Sequence, residues 1–239
     1  NKTICVSKSN ESLGKERFSL NRSTVIYNAV DLEKFNPSNS FKDIRAELNI
    51  PADKIVIGYI VRITGQKDPF TLLRAMKLLF SKSQNTVLLV VGDGDLKNET
   101  IQLADDLGIQ DRIIFQPFRS DIPAVLNAID IYCLPSLWEG FPIGILEAMA
   151  MKKAVIASPV DGNPELIENR KTGILVSTGQ PDKLADALYE LSTNETLRNQ
   201  LAENGCRFVN ENYSINRLVS EVQSEYDQII QMKQLKYKI

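Results

Sequence analysis

The residues able to do chemistry cluster in two short stretches. The first is Pro135–Ala150, reading PSLWEGFPIGILEAMA, in which Glu139 and Glu147 stand with seven residues between them, the turn Gly140-Phe141-Pro142-Ile143-Gly144 among them. A glycine-containing turn that opens a helix presents backbone amides to an anion; Phe141, Ile143 and Gly144 carry such amides, and Pro142 has none. Two carboxylates beside an anion would repel it unless they face hydroxyls, and sugar or ribose hydroxyls donate strongly to carboxylates. Singly, Glu139 reads as a solvated loop residue and Glu147 as an acid favoured by a helix start. In this ordered context, function is the better reading of both. The second stretch is Gly58–Pro69, GYIVRITGQKDP, with Arg62 and Lys67 five apart across a loop. A guanidinium fork and an ammonium so placed can clamp a diphosphate from two sides. The loop is neither GxxxxGK[ST] nor GxGxxG.

What is missing narrows the chemistry further. The 239 residues contain no histidine, which removes histidine-dependent nucleophile triads, imidazole metal sites and histidine general bases. Asp93 and Asp95 have Asp-x-Asp spacing, but Gly92-Asp93-Gly94-Asp95 reads first as a turn with Asp95 as the N-cap of the next helix, so no metal is expected. Asp161-Gly162-Asn163-Pro164-Glu165 likewise reads as a turn and helix start at the ligand edge of a sheet. Cys5, Cys133 and Cys206 are too few and scattered for a disulfide framework, in keeping with a reducing compartment. With 28 basic and 30 acidic residues the chain lacks the basic excess of a nucleic-acid reader, so anionic ligands must be met by a few placed cations. No apolar run reaches membrane-span length, and Asn1-Lys2-Thr3 opens no signal peptide, so the expected setting is cytoplasmic. Six Asn-x-Ser/Thr sequons read as chance in an asparagine-rich chain.

The elements that must position these stretches follow from hydrophobic periodicity. Short apolar runs at Ile55–Ile60, Val87–Val91, Arg112–Phe115, Ile131–Leu134, Ala154–Ala157 and Ile174–Val176 suit parallel strands covered on both faces. Helical patterns lie between them: one opened by Asp68-Pro69, then Leu96–Leu107, Ile122–Ala128, Ile143–Met151, Pro164–Glu168 and Asp182–Ser192. The expected fold is a doubly wound parallel α/β sheet, Rossmann-like, with extra C-terminal helices from about Asn194 and a long helix around Ile215–Lys233. Residues 1–53 fall outside this unit, with apolar runs at Ile4–Val6 and Val25–Ile26 and a turn-rich stretch at Asn28–Ser40.

Together these residues resemble glycosyltransferase family 4, enzymes of GT-B architecture. Pro135–Ala150 is similar to the family's PS-x-x-EGF-x-x-x-x-LEAMA signature, and Gly58–Pro69 to its G-x-x-x-R-x-x-x-x-KG loop, with Asp68 where glycine is common. Val91–Leu96 resembles GDGPL with Asp95 for proline, Val160–Glu165 resembles VGGxPE with Asp161 for the first glycine, and Lys171–Val176 resembles GxTGxLV with Lys171 for the first glycine. Val25–Asp31 with Phe35-Asn36-Pro37 resembles the IPNGVD…F-x-P linker, with Ala29 for glycine. The resemblance implies that Arg62 and Lys67 bind the donor diphosphate as leaving group, Glu139 contacts the transferred sugar, and Glu147 the ribose. Gly140, Phe141, Pro142 and Ile143 would line the sugar and phosphates, and Phe118 and Arg119 would meet the nucleobase. It further implies retention of anomeric configuration and no metal cofactor, with a nucleotide-sugar as donor; family frequency favours UDP.

One GT-B half is expected here: residues 1–27 as the remnant of an acceptor domain and linker, 28–212 as the donor-binding domain, and 213–239 as a helix crossing back to the other half. The acceptor would then bind to a missing N-terminal domain, and the chain alone would transfer sugar poorly or not at all. No nucleic-acid partner is expected; the Lys233, Lys236 and Lys238 tail hints at peripheral contact with the inner face of a membrane. The alternatives weighed are a non-catalytic nucleotide-sugar-binding module, another GT-B enzyme such as an epimerase, and a nicotinamide-dependent oxidoreductase lacking its glycine fingerprint.

Overall fold

A computed structural model describes residues 2–18 and 20–236, with side chains up to residue 231. The chain opens with β1 (Thr3–Cys5), α1 (Lys8–Phe18) and β2 (Ser23–Val25), in which the two strands pair in parallel as a separate two-stranded sheet. A one-turn helix α2 (Ile44–Glu47), capped by Asp43, precedes the main domain. Its strands and helices alternate from β3 (Ile55–Ile60) through α3 (Pro69–Lys82), β4 (Thr86–Val91), α4 (Lys97–Asp106), β5 (Ile113–Gln116), α5 (Ile122–Ala128), β6 (Ile131–Leu134), α6 (Ile143–Ala150), β7 (Ala154–Ala157) and α7 (Asn163–Leu166) to β8 (Ile174–Leu175). Three helices follow: α8 (Pro181–Thr193), α9 (Glu195–Asn212) and α10 (Ile215–Lys236).

The six main strands are all parallel, in the order β5-β4-β3-β6-β7-β8. The apolar runs are continuous because successive side chains enter two different cores. Ile57, Tyr59, Leu88, Val90, Cys133 and Ile156 pack under α3, α4 and α8, whereas Val56, Leu89, Val91, Tyr132, Leu134 and Val155 pack under α5, α6 and α9. Sequence order reverses direction between β3 and β6, so the connections leaving those strands diverge and open a crevice at their carboxyl ends.

One expectation is corrected at this level. Asp95 does not cap α4: the N-cap position is Leu96, with no side-chain cap bond. The turn's useful carboxylate is Asp93, which accepts from Phe118 N at 2.7 Å and from Lys97 Nζ at 2.5 Å. The N-terminal stretch holds a βαβ unit whose helix α1 has no apolar stripe to betray it. That unit sits against the domain. Lys8 N and Ser9 N, at the start of α1, each donate to the Glu165 carboxylate at 3.1 Å, and Tyr27 Oη donates to it at 2.8 Å. Lys2 pairs with Glu225 of α10, and Arg217 Nη2 donates to Tyr27 O at 2.8 Å. Among the described residues no helix is long and apolar enough to cross a membrane. Of the lysine tail, Lys238 and the side chains of Lys233 and Lys236 lie outside the described residues.

Candidate functional site

A cleft of about 690 Å³ lies at that crevice, a size suited to a nucleotide-sized ligand. Its walls come from the ends of three strands: Ile60 to Arg62 after β3, Val91 to Gly94 after β4, and Phe118, Arg119 and Ile122 beyond β5. Gly144 and Glu147, on the first turns of α6, close it.

Arg62 is exposed in this cleft and makes no hydrogen bond or ion pair among the described residues. A guanidinium left uncommitted is available to an anionic ligand. Lys67, five residues on, is placed differently: its Nζ lies 2.5 Å from Glu139 Oε1, and both side chains are largely buried. The two loops that carry this pair are stitched together, since Leu137 N donates to Gln66 O at 2.8 Å and Gln66 Nε2 to Trp138 O at 2.9 Å. The first and second stretches of sequence therefore form one continuous rim, and a cation and a carboxylate from each meet there.

Glu147 occupies the cleft floor, where burial pushes its carboxyl up to about 7 against the opposing charge of Lys34. Gly144, which also lines the cleft, is a point of close packing. A Cβ there would come within 2.4 Å of the Tyr132 hydroxyl, which packs beneath the start of α6. Close backbone packing at this turn falls on Gly162. A Cβ on Gly140 would meet nothing nearer than 3.5 Å, whereas one on Gly162 would strike Gly140 O at 2.3 Å. Phe141 is buried, stacked on Tyr27 with ring centroids 4.9 Å apart, and its carbonyl accepts from Asn28 Nδ2 at 2.8 Å. Pro142 is buried and Ile143 half exposed, so of the turn only backbone and Ile143 face outward.

Phe118 and Arg119 both reach the cleft, with unequal freedom. The Phe118 ring is 73% exposed, a bare face at the cleft mouth, while its amide is fixed by Asp93. Arg119 is spent: its guanidinium bonds Glu47 at 2.7 and 3.2 Å and Asp121 at 2.6 and 2.8 Å. Those carboxylates raise the Arg119 pKa further, and the hydrogen bonds from Arg119 in turn lower those of Glu47 and Asp121. Arg119 thus lines the cleft with its guanidinium already committed to two carboxylates, which anchors the loop. Glu47, in the one-turn helix α2, has no sequence signal tying it to this loop.

The glycine replacements noted in the sequence also find a reason here. Asp68 and Asp161 stand at φ 49° and 44°, the left-handed region that favours glycine. Each side chain makes a bond that glycine could not. Asp68 Oδ1 accepts from Thr71 N at 3.1 Å, capping α3, and Asp161 Oδ2 accepts from Glu139 N at 2.7 Å.

Known proteins share both the pattern and the fold. The chain is 31% identical over 207 residues to the Escherichia coli UDP-Gal:alpha-D-GlcNAc-diphosphoundecaprenol alpha-1,3-galactosyltransferase, covering 85% of this chain and 53% of that protein. It spans about half the length of the curated relatives it matches. The Anabaena HepE structure in complex with UDP and glucose superposes with a TM-score of 0.87 at 24% identity, over 95% of this chain and 63% of that one. The C-terminal domain of a Francisella tularensis glycosyl transferase group 1 family protein gives 0.70 at 30% identity, over 78% of this chain and 99% of that one. The Rossmann-like sheet expected from the sequence is therefore the sheet of GT-B glycosyltransferases. Residues 40–208, most of the chain and every strand of the cleft, match the model for glycosyl transferases group 1, and the chain belongs to that family.

Proposed function

We propose that this chain is the donor-binding half of a retaining glycosyltransferase of family 4, taking a sugar from a UDP-sugar to a hydroxyl acceptor without a metal. The observation that carries the reading is the convergence of an uncommitted guanidinium, Arg62, and a half-buried carboxyl, Glu147, in one cleft at the sheet's reversal point; Lys67 and Glu139 pair with each other outside its lining, on loops that leave the same two neighbouring strands. The UDP-binding Anabaena structure and the UDP-Gal-dependent Escherichia coli relative support UDP as the nucleotide.

In this reading Glu147 accepts hydroxyl protons from the ribose, the bare Phe118 face packs on the base, and Glu139 accepts from the transferred sugar. Arg62 and Lys67 offset the charge that grows on the diphosphate as the anomeric C–O bond breaks. The acceptor oxygen bonds the anomeric carbon on the same face, and its proton passes to the departing phosphate oxygen. Positioned cations are the largest contribution such a site makes to rate. The acceptor is held by residues outside this chain, in the half that its relatives also carry. A cytoplasmic setting belongs to the same reading, with peripheral membrane contact where the acceptor is a lipid.

Thermal melts of the chain with UDP, GDP, ADP and NAD test the proposal, since a ligand that binds only the folded state raises its stability. UDP is expected to give the largest shift. Arg62→Ala should weaken UDP binding about 10- to 100-fold, the usual worth of a hydrogen bond to a charged group. In an intact enzyme the same change should cost on the order of 10²–10³ in rate. A larger shift with NAD, or unaltered UDP binding in Arg62→Ala, would reject it.

A further inference from the structure

Glu139 is held from more sides than its partner Lys67 requires. Ser136 Oγ donates to Glu139 Oε1 at 2.6 Å, and Lys67 Nζ bonds the same oxygen. Oε2 has no protein partner among the described residues. Ser136 is fully buried and is itself fixed, its carbonyl accepting from Ser158 Oγ, while the Ser158 carbonyl accepts from Asn163 Nδ2 at 2.9 Å. Ser136, Glu139, Ser158 and Asn163 are all buried, and they form a continuous polar chain under the carboxyl ends of β6 and β7. A buried polar chain is costly, the more so here because Asn163 Oδ1 is buried without a hydrogen-bond partner among the described residues, so its presence calls for a task beyond packing.

We propose that Ser136 is a positioning residue for donor recognition: it fixes the rotation of the Glu139 carboxylate so that Oε1 is spent on Lys67 and Ser136 and Oε2 faces the sugar. This rests on the proposed donor role of the cleft. With two donors on one oxygen, the carboxylate cannot turn about its terminal torsion, which is otherwise broad. Its free lone pairs then point one way. The charge-assisted bond from Ser136 also holds the Glu139 side chain in place when Lys67 is shared with a diphosphate. Ser136 touches neither phosphate nor base, so its influence should be confined to the sugar.

The increment in affinity between UDP and a UDP-sugar isolates that contribution. Titration calorimetry of the chain with UDP, UDP-glucose, UDP-galactose and UDP-N-acetylglucosamine gives the increment for the tightest sugar. Ser136→Ala is expected to cut it about tenfold or more, within the 10- to 100-fold worth of a hydrogen bond to a charged group, with UDP affinity changed less than twofold. Ser136→Thr, which keeps the hydroxyl, should recover most of it. In a Glu139→Gln background Ser136→Ala should add nothing, since it acts through that carboxylate. Retained UDP affinity doubles as proof that each variant is folded. If UDP binds and the sugar increment survives Ser136→Ala, the positioning role is wrong while the donor cleft stands. Equal losses for UDP and UDP-sugar would reduce Ser136 to a structural role. A wild-type chain that binds UDP but gains nothing from any of the sugars also overturns the proposal, and one that binds no UDP overturns the donor reading beneath it.

Discussion

Glu147 is where local environment and chemistry meet most directly. Its carboxyl is pushed up to about 7 from an ordinary 4.5 because the cleft floor withholds solvent from the charge. Below pH 4.5 the folded and unfolded chains both hold this proton, and the group has no effect on stability. Between 4.5 and 7 the unfolded chain releases it and the folded chain does not, so stability falls as pH rises, and the full penalty is present above 7. Glu147→Gln removes the slope. Chemical denaturation should find the variant gaining on wild type by on the order of 1–2 kcal/mol between pH 4 and pH 8, once the full shift is discounted for partial solvent screening. Binding should move in the opposite sense. The ionised carboxylate is the stronger acceptor for ribose hydroxyls, so wild-type affinity for a UDP-sugar should rise from pH 6 to pH 8, and the variant's should be weaker and flat. A wild-type profile as flat as that of Glu147→Gln would remove Glu147 from the ribose. The sequence marks this residue by its spacing from Glu139. It does not mark the burial that tunes it, because the cleft around Glu147 is assembled from strand ends distant in sequence.

Elements differ sharply in how legible they are. Strands β6 and β7 begin and end where their apolar runs do, because a strand covered on both faces has no polar residue to blur its limits. Helix α3 is announced by Asp68-Pro69, a cap and a first-turn proline. The helix α1, by contrast, has only Leu13 and Phe18 as large apolar residues and buries only Gly14, so periodicity is silent. Its partner is Glu165, which looks in sequence like a helix-start residue and proves to be a clasp. Two amides at the start of α1 and the Tyr27 hydroxyl converge on its carboxylate, and Tyr27 is raised well above its usual pKa by burial and by that contact. The Glu47 partner of Arg119 is equally silent in the sequence, since it is a tertiary arrangement rather than a motif. Breaking the clasp tests its weight. Glu165→Ala should leave three donors without an acceptor at about 1–3 kcal/mol in total, with faster amide exchange confined to residues 3–18 while the main sheet stays protected. Exchange rising uniformly over the whole chain would mean that β1, α1 and β2 are one cooperative unit with the domain.

At the scale of the molecule, every residue proposed to touch the donor lies within the stretch shared with the family, and all are brought to one edge of one sheet. Arg62, Lys67, Glu139 and Glu147 are scattered over more than eighty positions, and their convergence follows from the strand order alone: β3 and β6 are neighbours, so the loops leaving them must share a rim. A site complete in this sense should bind its donor without the rest of an enzyme. The chain at UDP concentrations 100-fold above Kd should be stabilised by about 2.7 kcal/mol, and the gain should grow with the logarithm of concentration. The proposed chemistry calls on no metal. Its two cations offset the diphosphate, and of the Asp-x-Asp pair the carboxylate that lines the cleft, Asp93, is committed to Lys97 and to the Phe118 amide. The stabilisation should therefore be the same in excess EDTA as in millimolar magnesium or manganese. A UDP shift that vanishes with EDTA and returns with manganese would mean that Asp93 exchanges Lys97 for a cation on binding, and would make the Asp93-Gly94-Asp95 turn the metal site that its spacing first suggests.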